Sequence, residues 1–143
     1  MSDRDRLTFQ LSYGDCDAMG IAYFAIYYRW MERTYTSWLY SHGLRSGDLE
    51  PDLGIVTVGV SSGATYHRTA TVFDELVCQA VLDRIGTSSY AVGYEFTCDD
   101  ELVTRGRMTY ACRDSSFAKA PVPDRLAGVL RTLPSPRFDV TST

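Results

Sequence analysis

Leu7, Phe9, Leu11 and Tyr13 alternate with Thr8, Gln10 and Ser12 near the start of the chain. A period of two belongs to a strand with one buried face, and it predicts a first strand over 7–13. The polar, glycine-bearing stretch Gly14 to Gly20 breaks the pattern. From Ala25 to His42 there is neither glycine nor proline, and Tyr27, Met31, Tyr35, Trp38 and His42 recur at steps of three and four, with Trp30 beside them. That spacing predicts an amphipathic helix with an aromatic face. Gly43 is the residue type that stops it, because glycine takes the left-handed conformation just past a helix end without strain.

Residues 44–54, with their Gly, Asp and Pro, read as a loop. Beyond them the period returns to two. Val56, Val58 and Val60 alternate, Ala64 to Val72 is β-branched and polar by turns, and Phe73-Asp74-Glu75 marks a turn. Leu76, Cys78, Ala80 and Leu82 share one face. Tyr90, Val92, Tyr94 and Phe96 share another, Cys98 to Glu101 reads as a hairpin turn, and Met108, Tyr110 and Cys112 close the last strand. After Pro121 and Pro123, residues 124–133 predict one short helix, and 134–143 a flexible tail. With no internal repeat, residues 1–133 form a single predicted domain. One strand, one long helix and then antiparallel strands is an α+β order, and the economical packing lays the helix across one side of a curved sheet. The sheet retains an edge strand, and aromatics make up 13% of the chain, ten of them tyrosines. A symmetric homo-oligomer is the expected way to cover both.

Composition narrows the partners. The chain has 143 residues, 45% hydrophobic and 22% charged, which is the balance of one globular domain. Its 14 Lys+Arg against 18 Asp+Glu leave a net charge of −4, which disfavours nucleic acid or an anionic membrane as partner. No apolar run approaches a membrane span, and the polar start Met1 to Arg6 offers no signal peptide. Cys16, Cys78, Cys98 and Cys112 show no C-x-x-C spacing and no cluster with histidine. They read as reduced thiols of a cytoplasmic protein, with no metal and no cofactor expected. His42, ending the helix, and His67, read as lying in a strand, adjoin no nucleophile. There is no G-x-S-x-G elbow, no P-loop and no G-x-G-x-x-G opening a helix.

Chemistry concentrates where the first strand meets the helix. Asp15 and Asp17 flank Cys16 ahead of Gly20, and the helix is expected to start near Phe24. Carboxylates in such a turn commonly serve as solvated turn formers or caps. The same position also suits catalysis. Free N–H groups at a helix start carry partial positive charge and can hold the oxygen of an electrophilic carbonyl. Asp17 can then approach as base or nucleophile. Cys16 has no histidine or lysine nearby to lower its pKa, so packing is its favoured reading. Arg105 and Arg107 share a strand face, where they either grip phosphate or are solvated.

The run Tyr13 to Trp30 (YGDCDAMGIAYFAIYYRW) closely resembles the signature of hotdog-fold thioesterases of the 4-hydroxybenzoyl-CoA thioesterase family, and the similarity extends over about residues 7–130. The resemblance implies a hotdog fold, in which an antiparallel sheet wraps one long central helix. It also implies dimers or tetramers and metal-free hydrolysis of an acyl thioester. By the same resemblance Asp17 is the catalytic carboxylate, Gly20 the turn glycine, and the backbone N–H of Phe24 the donor that polarises the thioester carbonyl. Glu32 falls where such enzymes have an acidic residue near the acyl ring, although a solvated helix charge explains Glu32 equally well. Independently of the resemblance, Tyr23 and Tyr27, with Phe24, Tyr28, Tyr90 and Tyr94, supply enough aromatic surface to line an apolar acyl slot, part of it ordinary core. Two positions depart from the pattern. Ile21 stands where many members carry histidine, and the basic cluster that some members use on the CoA nucleotide is reduced to Arg84, with Ser89 close behind. The expected substrate is therefore an aromatic or medium-to-long acyl thioester on CoA, with a carrier-protein-bound polyketide or fatty acyl chain as the alternative. A non-catalytic acyl-binding hotdog protein is the reading from another class. A hydratase or dehydratase is disfavoured because those place histidine in the active turn or on the helix.

Overall fold

The structure, a computed structural model describing residues 4–138, is organised by a helix, α1 (Ile26–Ser41), lying on one face of a five-stranded antiparallel sheet. The strands are β1 (Arg6–Gln10), β2 (Val56–Tyr66), β3 (Glu75–Ile85), β4 (Ser89–Cys98) and β5 (Glu101–Arg113), in the spatial order β1-β3-β4-β5-β2. Two short helices, α2 (Glu50–Leu53) and α3 (Asp124–Leu130), complete the elements. The α+β expectation and the central helix hold.

The aromatic stripe of α1 makes the core. Tyr27, Trp30, Met31, Tyr35, Trp38 and Leu39 are buried. They meet the alternating residues Tyr90, Val92, Tyr94 and Phe96 of β4. Phe9 of β1 stacks on Trp30 at 5.1 Å, and Phe96 meets Tyr27 edge-on at 5.0 Å. The helix ends as its sequence dictates. Gly43 takes φ 79°, and the N–H of Leu44 reaches back to the carbonyl of Leu39 at 3.0 Å. Close approach of helix to sheet depends on Gly106, where an added Cβ would lie 2.3 Å from the sulfur of Met31.

Several boundaries differ from the pattern reading. The first strand ends at Gln10, and Tyr13–Asp15 forms a 3-10 turn instead. The loop 44–54 contains α2, which begins with Pro51 among its first positions, where a missing N–H does no harm. Val56 to Tyr66 is one continuous strand, because a bulge between Gly59 and Ser61 absorbs the break in alternation. His67 lies just past that strand and not within it. Its N–H and that of Arg68 both donate to the carbonyl of Val103, the extra residue of a bulge in β5. Residues 134–138, read as tail, lie against the sheet. The carbonyl of Pro134 accepts from the N–H of Leu82, and the N–H groups of Arg137 and Phe138 donate to the buried carboxylate of Glu95. The remaining part of that expectation, 139–143, falls outside the described residues.

Candidate active site

Two aspartates of the strand–helix junction do different work. Asp15 closes the 3-10 turn: its Oδ2 accepts the N–H of Ser12 at 2.9 Å and the Ser12 hydroxyl at 3.2 Å. Its carbonyl accepts the N–H of Tyr23 at 2.8 Å. Asp17 heads the next turn. Its carbonyl accepts from Gly20 at 3.0 Å and its N–H donates to Ile21 at 2.9 Å. The left-handed φ of 77° at Gly20 makes that reversal possible without steric strain. The carboxylate of Asp17 is exposed, and its Oδ1 accepts the N–H of Met19 at 2.8 Å. Its Oδ2 accepts nothing among the described residues, so the carboxylate is oriented at one oxygen and open at the other.

The chain then runs into α1. Ala22 donates to Ala70 at 2.7 Å, and Ile21 bridges Thr71, so the turn is stitched to the segment ahead of β3. The N-cap of α1 is Ala25, which has no side-chain acceptor, and the first turn contains no acidic residue. No side chain caps the helix start, although the N–H of Ile26 donates to the carbonyl of Tyr23 at 2.9 Å and that of Tyr28 to Ala25 at 3.2 Å. Phe24, one residue before that cap, has a side chain 59% exposed and an N–H that donates to nothing among the described residues. Its carbonyl is held by the hydroxyl of Tyr66 at 3.1 Å. The helix therefore starts a little later than the sequence suggests, and Phe24 stands in the turn that leads into it.

Asp17 and Gly20 share one turn, and Tyr23 and Phe24 follow it on the run into α1, tied back to the acidic turn by the Tyr23 N–H on the Asp15 carbonyl. The other predicted site residues are distributed elsewhere. Tyr27 is buried in the core: it is 2% exposed, its ring packed among Trp30, Tyr66 and Phe96. Glu32 is exposed on α1, with its carboxylate accepting the hydroxyl of Thr36. Arg84 and Ser89 do meet, Nη2 to Oγ at 3.2 Å, across the β3–β4 hairpin. That hairpin is at the far end of β3 from the Asp17 turn, roughly 30 Å away at ~3.3 Å per residue. Cys16 is half-buried, and its thiol is pushed above the ordinary range by burial first and then by Asp15 and Asp17, so it is no thiolate nucleophile. Arg105 donates to the carbonyl of Phe138 at 3.1 Å, and Arg107 pairs with Asp83. Tyr66 is the contributor that pattern reading missed. Its one signal was that it is the only Phe, Trp or Tyr between Val56 and Val72. Among the described residues, no group of His, Cys, Asp and Glu side chains could hold a metal ion, and no helix is long and apolar enough to cross a membrane.

A five-stranded antiparallel sheet carrying one long central helix is the architecture of the hotdog class. Residues 19–115 match the family model described as the thioesterase superfamily, and the chain belongs to that superfamily of thioester hydrolases. Over 119 residues it is 25% identical to a 1,4-dihydroxy-2-naphthoyl-CoA hydrolase of Nostoc punctiforme, covering 82% of this chain and 80% of that one. Among solved structures, the dynemicin thioesterase, described with polyene binding, superposes with a TM-score of 0.77 at 22% identity, covering 92% of this chain and 98% of that one. A 4-hydroxybenzoyl-CoA thioesterase mutant with an aspartate changed to asparagine, complexed with 4-hydroxybenzoyl-CoA, superposes with a TM-score of 0.76 at 20% identity, covering 87% and 96%.

Proposed function

We propose that this protein hydrolyses an aromatic or medium-to-long acyl-CoA to the free acid and CoA, with Asp17 as base or nucleophile and the N–H of Phe24 as the oxyanion donor. The observation that carries the proposal is a carboxylate with one uncommitted oxygen on the turn ahead of α1, followed by a backbone N–H with no partner among the described residues just before the helix. The thioester oxygen rests on the Phe24 N–H, which strengthens its hold as negative charge develops. Asp17 either attacks the carbonyl carbon, giving an acyl anhydride that water then opens, or takes a proton from the attacking water. In both routes the thiolate of CoA leaves and takes up a proton. Tyr23, its ring 4.8 Å from that of Phe24, lines the approach of the acyl group. We place this chemistry in the cytoplasm and in one domain over residues 1–133, onto which residues 134–138 pack; the four free cysteines fit a reducing compartment.

A second substrate source is favoured by one observation. Arg84, the remnant of the basic cluster, is engaged with Ser89 and stands alone among cationic side chains in its hairpin. Weak contact with nucleotide phosphates suits a carrier-protein thioester, whose pantetheine arm carries no nucleotide. The test of the function itself is a panel of acyl-CoAs assayed with a thiol-trapping chromogen. Release of thiol from at least one aromatic or medium-to-long member is expected. Saturable binding with no thiol release from any acyl thioester, on CoA or carrier protein, would instead assign a binding protein.

A further inference from the structure

We infer that Tyr66 is a positioning residue for the thioester reaction: its hydroxyl, reaching from the edge strand β2, fixes the turn that presents the Phe24 N–H. The inference rests on the thioesterase reading above. The N–H of Tyr28 donates to Ala25 at 3.2 Å. Phe24 precedes the N-cap Ala25, so its carbonyl lies outside the helix ladder and needs a partner from elsewhere. The Tyr66 hydroxyl takes it at 3.1 Å, and this is the only side-chain hydrogen bond to residues 20–25 among the described residues. The donor is itself well located. Its ring lies 5.6 Å from that of Tyr27, which is buried in the core, and its backbone is paired with Thr104 at the end of β2.

The consequence is geometric. An oxyanion donor contributes only if it is aimed before the charge appears. The peptide that carries the Phe24 N–H is held through its Tyr23 carbonyl by the N–H of Ile26 at 2.9 Å, and the next peptide is anchored by Tyr66 through the Phe24 carbonyl. The segment before them is fixed by the Tyr23 N–H on Asp15 and the Ala22 N–H on Ala70. Loss of the Tyr66 anchor frees the Phe24–Ala25 peptide and so loosens the 23–26 turn, closed by the Ile26 N–H on Tyr23, that aims the Phe24 N–H, whereas the residues that grip the acyl group and CoA are untouched. A positioning defect therefore falls on kcat and leaves KM in place.

The experiment compares wild type, Tyr66→Phe and Tyr66→Ala on the best acyl-CoA of the panel, with thermal unfolding and the backbone amide resonances of Phe24 and Ala25 recorded for each. Tyr66→Phe keeps the ring against Tyr27 and removes only the hydroxyl. The expected result is a fall in kcat of about tenfold or more with KM within about twofold. The melting temperature should stay near wild type and both amide resonances should move. Tyr66→Ala should fall at least as far. Unchanged kcat in Tyr66→Phe, or a loss that tracks KM or the melting temperature, overturns the inference. Failure of the wild type to turn over any acyl thioester is a different outcome, which overturns the thioesterase reading and the catalytic role of Tyr66 with it.

Discussion

Asp17 and Asp15 stand two residues apart in the same acidic turn, and their hydrogen bonds separate their roles. Asp15 spends its Oδ2 on Ser12 and its carbonyl on Tyr23, so it is a structural staple. Asp17 keeps one carboxylate oxygen open to solvent. Asp17→Asn should therefore lower kcat by at least ~100-fold, the scale of a lost base or nucleophile, with the fold intact. Asp15→Asn should cost less activity and lower the melting temperature slightly, because an amide still accepts from Ser12. Steady-state kinetics beside thermal unfolding checks both, and a full-speed Asp17→Asn enzyme would remove Asp17 from the chemistry. At this scale the sequence was informative where identity is chemistry: aspartate, glycine and aromatic neighbours in a fixed order pointed to the turn. It was uninformative where a role depends on a distant partner. Nothing in the neighbours of Tyr66 tells that its hydroxyl ends on Phe24, 42 positions earlier in the chain. Glu95 is hidden for the same reason. Its place in the alternation of β4 reads as solvent-facing, yet it is 2% exposed because residues 134–138 cover it and supply its donors.

Helix α1 and the sheet meet through contacts that periodicity foretold in kind but not in closeness. The three-and-four spacing of the aromatics identifies the buried face correctly. Gly106, in contrast, reads as a weakness in a strand until the sulfur of Met31 is found where its Cβ would be. Gly106→Ala should destabilise the protein by about 1–3 kcal/mol, the usual penalty of overpacking. Combined with Met31→Ala the loss should be smaller than the sum of the two single changes, because the clash is removed; denaturant titration of the four proteins measures this, and strict additivity would deny the contact. The same interface sets an alkaline limit. Tyr35 and Tyr90 share a 2.6 Å hydrogen bond, and the Tyr110 ring stacks against both. Burial raises Tyr35 and Tyr90 and pushes Tyr110 up to about 12, and it pushes Cys78 up to about 12 as well. The folded state thus holds these protons more tightly than the unfolded chain, whose phenols and thiols release them near 10.0 and 9.0. Stability from this cluster is complete below about pH 9, and it declines as pH rises from there through about 12. The melting temperature should be level from pH 7 to 9 and fall steeply above, with Tyr110→Phe flattening the fall.

For the whole molecule, the open question of surface is at the edge and around the turn. Strand β2 is an edge of the sheet, with Val60 at its bulge 54% exposed, and the segment 13–24 displays Tyr13, Met19, Tyr23 and Phe24, with Phe73 of the segment ahead of β3 exposed beside Tyr13. Such exposed apolar groups on either side of a candidate site predict a homo-oligomer, a dimer or a tetramer, whose protomers complete each other's substrate cleft. Light scattering at micromolar concentration should give at least a dimer, and an active monomer would refute this. Assembly also bears on Arg84 and Ser89. Within one protomer they are far down β3 from Asp17, so any role at the phosphates of CoA must be played at a neighbouring protomer's turn. That pair alone offers little affinity for a nucleotide, and most binding should come from the acyl group and the pantetheine arm. The discriminating measurement is kcat/KM for one acyl group on CoA, on pantetheine and on a carrier protein, with Arg84→Ala tested alongside. CoA should exceed pantetheine by less than ~100-fold, about 2.7 kcal/mol of transition-state binding, and Arg84→Ala should narrow that gap. A larger preference for CoA would show that the nucleotide is gripped by residues other than this hairpin, and a preference for the carrier protein over both would make the acylated carrier the substrate.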